Sequence, residues 1–328
     1  AVAIDPKNRE AAEQLARVRR RLRRYIEGEV RAFHDTDQLS RFDLSLGVHA
    51  RAARGLDIAA VGRELFFRQG SPGKDANIDR ADSANGTAGS LLFDYRPGAS
   101  SAVRGSAGLS RYDVGDFRPW TGSAGATFFP GDLWRIALDW ERAPDDTILS
   151  LQNHVTVDTV SAGVTRWIPW KTEVSASAAL LFQHNRNDVG QARENSGERF
   201  ELGLSRRLYL KGDGMRLTGL ARLSWLGYRK SLDVGAYNPR RQTAEEVGLD
   251  GRWAFRPRWE AFGTAMGGAQ QEKGAGGSPT YSLEAGVDRE VGAAGRITLG
   301  GFIADSSAAG RGAGYRRQGG YLRVRVPF

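Results

Sequence analysis

From about Glu27 to the end of the chain, apolar and polar residues alternate in segments of about ten, separated by turn chemistry. Trp134, Ile136, Leu138 and Trp140 form one face of such a segment; Arg135, Ala137, Asp139 and Glu141 form the other. The last segment repeats this, with Leu322, Val324, Val326 and Phe328 against Tyr321, Arg323 and Arg325. Phe42, Leu44, Leu46 and Val48 alternate with Asp43, Ser45, Gly47 and His49, and Tyr281, Leu283, Ala285 and Val287 with Ser282, Glu284, Gly286 and Asp288. Neighbouring side chains of a strand point to opposite faces, so a period of two marks strands with one apolar and one polar side. The pattern predicts sixteen strands, near 28–36, 39–51, 55–68, 84–96, 101–112, 117–129, 132–142, 155–168, 172–184, 198–210, 214–228, 242–255, 257–270, 279–289, 295–305 and 315–328.

A soluble sandwich alternates too, but three features favour a membrane barrel. The strand number is even, as in single-chain bacterial barrels. Connections alternate in length. Tight ones lie at Ala52–Arg54, Pro97–Ala99, Pro130-Gly131, Pro169–Lys171, Lys211–Asp213, Arg256 and Gly292-Ala293; longer polar ones lie at 69–83, 143–154, 185–197, 229–241, 271–278 and 306–314. Short inner turns and long outer loops are the barrel signature. The chain also closes on Phe328 after an alternating strand, which resembles the signal read by the outer-membrane insertion machinery. Trp120, Trp134, Trp140, Trp225 and Trp253 sit near segment ends, where interfacial girdles belong. A closed barrel pairs every backbone group without an edge, as lipid demands. The expected fold is all-β: a 16-stranded antiparallel transmembrane barrel preceded by one α-helix.

That helix is read over residues 6–24. Asp5-Pro6 supplies a start, and Ala11, Ala12, Leu15, Val18 and Leu22 recur at helical spacing. DPKNREAAEQLARV resembles the end of a tetratricopeptide repeat. One repeat cannot bury its own face, so further repeats are expected upstream of Ala1. The domains are therefore 1–26, a terminal repeat-type helix and linker, and 27–328, the barrel.

Composition changes this picture little. The 328 residues include 42 Gly, 8 Trp and no Cys, which excludes disulfides and thiolate chemistry. No stretch approaches 18 uncharged apolar residues, so no membrane helix is expected. The net charge of +9 is uneven: residues 1–27 hold eight basic and four acidic side chains. RVRRRLRR has the look of a polyanion-binding run, but no aromatics interleave with it and no nucleic-acid module follows. A solvated helix face, with no nucleic-acid partner, is the better reading.

No catalytic or metal chemistry emerges. His34, His49, His154 and His184 follow no metal spacing, no G-x-S-x-G elbow occurs, and Asp146, Asp158, Asp188 and Glu194 follow no calcium-loop pattern. Gly310–Gly314 lacks the Lys-Ser/Thr of a phosphate loop and reads as a flexible connection. Gly105, Gly122, Gly219, Gly263 and Gly267, on strands, are expected to permit curvature and close packing. The informative face is the polar one. By parity it carries Arg104, Arg135, Asp139, Glu141, Glu201, Arg207, Arg216, Arg222, Asp250, Arg252, Glu284, Asp288, Arg323 and Arg325. Arg or Lys on the lipid side near the midplane costs about 2–4 kcal/mol, so these are expected to line the pore. With Tyr228 and Tyr321 they offer hydrogen bonds and rings to a sugar polymer.

A repeat helix joined to a sixteen-strand barrel resembles the bacterial exopolysaccharide exporters. These include the outer-membrane component of cellulose synthase and, as a close second, the poly-N-acetylglucosamine porin. Trp140–Ser150 resembles the cellulose family's "R-x-P-x-x-S-x-L-S" segment through Arg142 and Pro144. Gly235–Arg241 resembles its "G-Y-F-S-P-Q" segment through Tyr237 and Pro239, with Asn238 in place of Ser and Arg240 in place of Gln. Phe33–Asp37 resembles a "Y-x-D-S-D-G" turn that lacks its Gly. The resemblance implies a passive outer-membrane porin for a cellulose-like or related biofilm polymer, without catalysis or cofactor. It also implies upstream repeats and synthase-complex components in the periplasm, where the N-terminal helix would lie. A general diffusion porin or surface-receptor barrel is the alternative, and one long loop is free to fold inward.

Overall fold

The alternating segments pair edge to edge until the sheet closes. The computed structural model describes residues 24–70, 82–145, 147–185, 194–211, 214–232, 236–274, 276–292, 294–305 and 315–328; the expected helix at 6–24, the basic run up to Arg23 and the Gly310–Gly314 segment lie outside them. The strands are β1 (Tyr25–Asp35), β2 (Leu39–Ala53), β3 (Leu56–Gln69), β4 (Ser83–Tyr95), β5 (Ser101–Tyr112), β6 (Trp120–Phe128), β7 (Trp134–Pro144) and β8 (Thr156–Ile168). They continue as β9 (Thr172–His184), β10 (Glu194–Lys211), β11 (Met215–Tyr228), β12 (Gln242–Arg256), β13 (Trp259–Glu272), β14 (Gly276–Val291), β15 (Gly295–Asp305) and β16 (Arg316–Pro327). Each pairs antiparallel with its sequence neighbours, and β16 closes on β1 from Tyr25↔Pro327 to Asp35↔Arg317. The expected closed antiparallel barrel of sixteen strands is what forms. Its first strand opens at Tyr25, two residues before the expected start of the barrel.

Details differ where local chemistry outweighs alternation. The segment 271–278 is no long loop: β13 runs to Glu272 and β14 starts at Gly276, with Gly274 at φ 97° and Gly276 at φ 81° making a tight turn. β6 starts at Trp120 rather than 117, because Val114–Asp116 forms a 3₁₀ turn. Glu194 opens β10 instead of lying in a loop. Asp158 stands inside β8, paired with Arg142. At the other end, Pro169–Lys171 form the three-residue β8–β9 turn, with Trp170 (φ 63°) and Lys171 (φ 55°) in the left-handed region.

The pairing separates two faces. One is a belt of exposed apolar side chains, among them Leu91 (67%), Leu109 (71%), Val247 (66%) and Leu299 (63%), the composition of a wall that meets hydrocarbon. The other is polar and concave. Buried apolar packing gathers at the long-loop end, against the polar face. There Phe33, Leu39, Leu65, Phe67 and Tyr112 of β1, β2, β3 and β5 cluster with Val114 and Phe117 and with Ile148 and Leu151 of α1 (Ile148–Gln152). The seam between β1 and β16 is locked there as well. Asp35 accepts from the Leu39 amide (2.9 Å) and from the Tyr315 hydroxyl (2.6 Å), and Arg316 N donates to Thr36 Oγ1 (3.0 Å).

Candidate functional site

The concave wall is a lattice of short-range charge pairs. All fourteen charged residues assigned to the pore by parity fall on this face in the strand register. Arg104 reaches Asp139 across β6 (2.7 Å), where Gly125 leaves the space between them. Arg222 of β11 donates through Nε to Glu246 of β12 (2.8 Å). Arg216 stands 3.9 Å from Asp250, whose carboxylate also accepts from Thr264 Oγ1 (3.0 Å). Arg252 pairs with Glu260 (2.8 Å), and Arg296 with Asp288. Arg323 and Arg325 close the seam onto Glu29 and Glu27 (both 2.6 Å), and Tyr321 donates to Glu284 (2.7 Å).

One sector gathers most of these groups. Asp250, Arg252, Glu284, Asp288, Arg323 and Arg325 line a single hollow of about 340 Å³ with Glu27, Arg296, Tyr321 and Phe262. Side chains from β1 and β12 meet in that hollow although they are five strands apart in the ring, so the polar face is the inside of the barrel. Arg135 stands elsewhere, hydrogen-bonded to Thr165 (3.2 Å). Glu141, Glu201 and Arg207 make no ion pair among the described residues.

Sequence reasoning missed several members of the lattice. Glu27 and Glu29 alternate with Ile26 and Val30; Glu29 lies inside the expected strand 28–36 and Glu27 one residue before it, so the same parity puts both on the polar face. Arg51–Asp57 (2.8 Å) and the stack of Tyr25 on His49 (4.4 Å between centroids, 12° between planes) face the same lumen. Arg325 covers the Tyr25 ring (4.3 Å). Inward glycines let rings lie flat on the wall. At Gly197 a Cβ would meet Tyr228 Cδ1 at 2.8 Å, and Gly300 makes the same room for Tyr321.

The segment between β7 and β8 enters the lumen. Thr147 and Ser150 form a reciprocal cap on α1, with Ser150 N donating to Thr147 Oγ1 (3.0 Å) and Thr147 N to Ser150 Oγ (3.2 Å). Ile148, Leu151 and Val155 are almost wholly buried. His154 stacks on Phe117 (4.7 Å), and its Nε2–H donates to the Gly115 carbonyl (2.7 Å). The segment thus packs on the inward apolar residues of β1–β5 at the long-loop end.

The residues of the two loop motifs have local partners. Arg142 does not reach the lumen: it faces outward on β7, over the Trp120 ring (4.6 Å) and paired with Asp158 (3.1 Å). Pro144 ends the same strand. Tyr237 donates to Glu272 (3.0 Å), and burial, reinforced by that carboxylate, raises its pKa so that it stays a donor. Asn238 closes its loop by accepting from Leu232 N (2.7 Å) and donating to the Leu232 and Ala236 carbonyls. Pro239 O accepts from Tyr228 N (2.8 Å). Phe328, exposed, donates through its amide to Arg24 O (3.0 Å). No group of side chains among the described residues could hold a metal ion.

Solved structures share this architecture. A bacterial polysaccharide outer membrane secretin superposes with a TM-score of 0.72 at 13% identity, covering 94% of this chain and 99% of that one. The Pseudomonas aeruginosa OpdK structure with vanillate and a BenF-like porin from Pseudomonas fluorescens Pf-5 each give a TM-score of 0.46 at 10% identity, over 93% of this chain and 98% of theirs. No protein-family model matches the chain, and no curated protein does. At 13% identity the likeness to the secretin concerns the fold alone, a closed barrel of sixteen strands.

Proposed function

We propose that the chain spans the bacterial outer membrane and passes a secreted polysaccharide through its lumen, from periplasm to cell surface. Short turns and both described ends lie at the periplasmic mouth; the longer connections lie outside. The observation that carries the reading is the inner wall. Sixteen strands enclose a bore about 30 Å across between backbones, lined by acids and bases that neutralise one another at short range. Such a wall offers hydroxyls, carboxylates and guanidinium groups for hydrogen bonding without a strong field of either sign. A largely uncharged, hydroxyl-rich polymer suits it better than a dense polyelectrolyte. The whole-length likeness to a polysaccharide secretin supports a polymer rather than a small solute as cargo.

In this account the barrel does no chemistry and needs no cofactor. The fourteen inward charged residues form the path, Phe328 serves the insertion machinery, and the N-terminal helix continues a periplasmic repeat scaffold that hands over the chain from a synthase complex. A cellulose-like biofilm polymer is the substrate that the loop motifs favour. Linkage analysis of secreted polysaccharide, with and without the barrel and with any upstream repeats kept, tests this. Loss of one extracellular polymer with its precursor held in the periplasm is expected. Unchanged output would favour a diffusion porin or surface receptor.

A further inference from the structure

Within the lumen most arginines find acids, but a group on the outer wall does not. At the long-loop end of β9, β10 and β11 a hollow of about 680 Å³ is lined by Leu180, Phe182 and Trp225, with Arg229, Lys230 and Arg240 at its edge. By register Leu180, Phe182 and Trp225 point away from the lumen, and Phe200 extends the apolar floor by packing on Trp225 (5.4 Å between centroids). Arg229, Lys230 and Arg240 are exposed, and their cationic groups make no ion pair among the described residues. The backbone holds them in place: Arg229 N donates to Ser196 O (2.9 Å), and Asn195 Nδ2 donates to Lys230 O (2.7 Å). Next along the wall, Arg142 and His184 share Asp158.

Cations above an aromatic and aliphatic trough on a hydrocarbon-facing wall are complementary to one kind of molecule: an anionic headgroup with acyl chains. Resting on the outer-membrane reading, we infer that this hollow binds a phosphorylated glycolipid of the outer leaflet, lipid A. Its phosphates would sit on Arg229, Lys230 and Arg240 and its chains on Leu180, Phe182 and Trp225. Glu194 and Glu198 line the same hollow. They offer oxygens to a divalent cation bridging to the phosphate, as a mixed patch of both signs allows. Phosphatidylglycerol shares the charge but brings one phosphate and two chains, too little to engage both the spread of cations and the length of the trough.

The test is native mass spectrometry of the detergent-purified chain with bisphosphorylated lipid A, dephosphorylated lipid A or phosphatidylglycerol. Wild type and the triple variant Arg229→Ala/Lys230→Ala/Arg240→Ala are compared, with heat-modifiable gel mobility confirming that both are folded. Expected is one lipid A retained per barrel, binding about tenfold weaker without the cations or without the phosphates, and weaker binding of phosphatidylglycerol. Equal retention by the triple variant, or equal retention of phosphatidylglycerol, overturns the site. Because three simultaneous changes can disturb folding, Arg240→Glu alone is the second variant and is expected to weaken binding in the same direction. Insertion into phospholipid vesicles separates the two claims. A barrel that inserts but ignores lipid A loses only this site, whereas one that does not insert loses the membrane reading as well.

Discussion

Lys171 and Trp170 both occupy the left-handed region, where an L side chain meets its own carbonyl. Lys171→Gly is expected to raise unfolding stability by roughly 1 kcal/mol, the strain relieved outweighing the added chain entropy; a urea titration of the refoldable barrel checks it. Among the described residues Glu246 is the most deeply set acid of the lumen, its side chain 1% exposed beside Arg222. Arg222→Leu leaves that carboxylate without its cation and is expected to cost about 3 kcal/mol in the same titration, far more than Arg135→Leu, whose guanidinium is hydrogen-bonded to the uncharged Thr165. Tyr315 is pushed up to about 12 by burial and by its hydrogen bond to Asp35. A phenol whose folded pKa lies above its unfolded value of 10.0 adds stability that is complete below pH 10 and is lost as pH rises toward 12. Tyr315→Phe should therefore flatten the fall in stability across that window, read from unfolding midpoints at successive pH values. An unchanged slope would mean that the hydroxyl contributes nothing to the seam.

At the scale of elements, α1 packs on the inward apolar pad at the long-loop end. Removing Ile148–Gln152, or changing Leu151→Asp to expel it from the apolar pad, is expected to raise single-channel conductance severalfold with the sixteen strands intact. Equal conductance in wild type and both variants would show that the segment does not obstruct the lumen. The strands themselves were legible in sequence because each is apolar on one side and polar on the other along its length. Parity alone grouped Arg104, Arg222, Asp250 and Arg325 on one face, and the strand register places them on one face of the sheet. α1 was not legible, since Ile148, Leu149 and Leu151 within a polar connection read equally as loop; the burial of Ile148 and Leu151 comes from a cluster with residues far away in sequence, Phe67 of β3 and Phe117 of the β5–β6 connection among them. The same limit misplaced the turn at Lys273-Gly274, where glycine chemistry invites a loop but the ladder continues on both sides. The ion pairs were hidden because they run between strands, so that Arg104 and Asp139 are 35 positions apart.

The whole molecule combines a net charge of +9 with a lumen whose wall carries many acid–base pairs. Eight cations stand in residues 1–27, and others, such as Arg229, Lys230 and Arg240, rim the outer wall. Overall charge therefore says little about cargo, whereas the pairing on the wall speaks for a polymer without strong charge. The central claim, that a polysaccharide moves through this lumen, has one direct test. The chain holds no cysteine, so a single introduced thiol is a unique handle. Ser177 faces inward on β9 beside Gly163 and Glu201, and Ala178 faces outward next to it. A bulky maleimide on Ser177→Cys should stop polymer release from cells while the same reagent on Ala178→Cys leaves release unchanged. Undiminished release from fully labelled Ser177→Cys would contradict passage through the lumen.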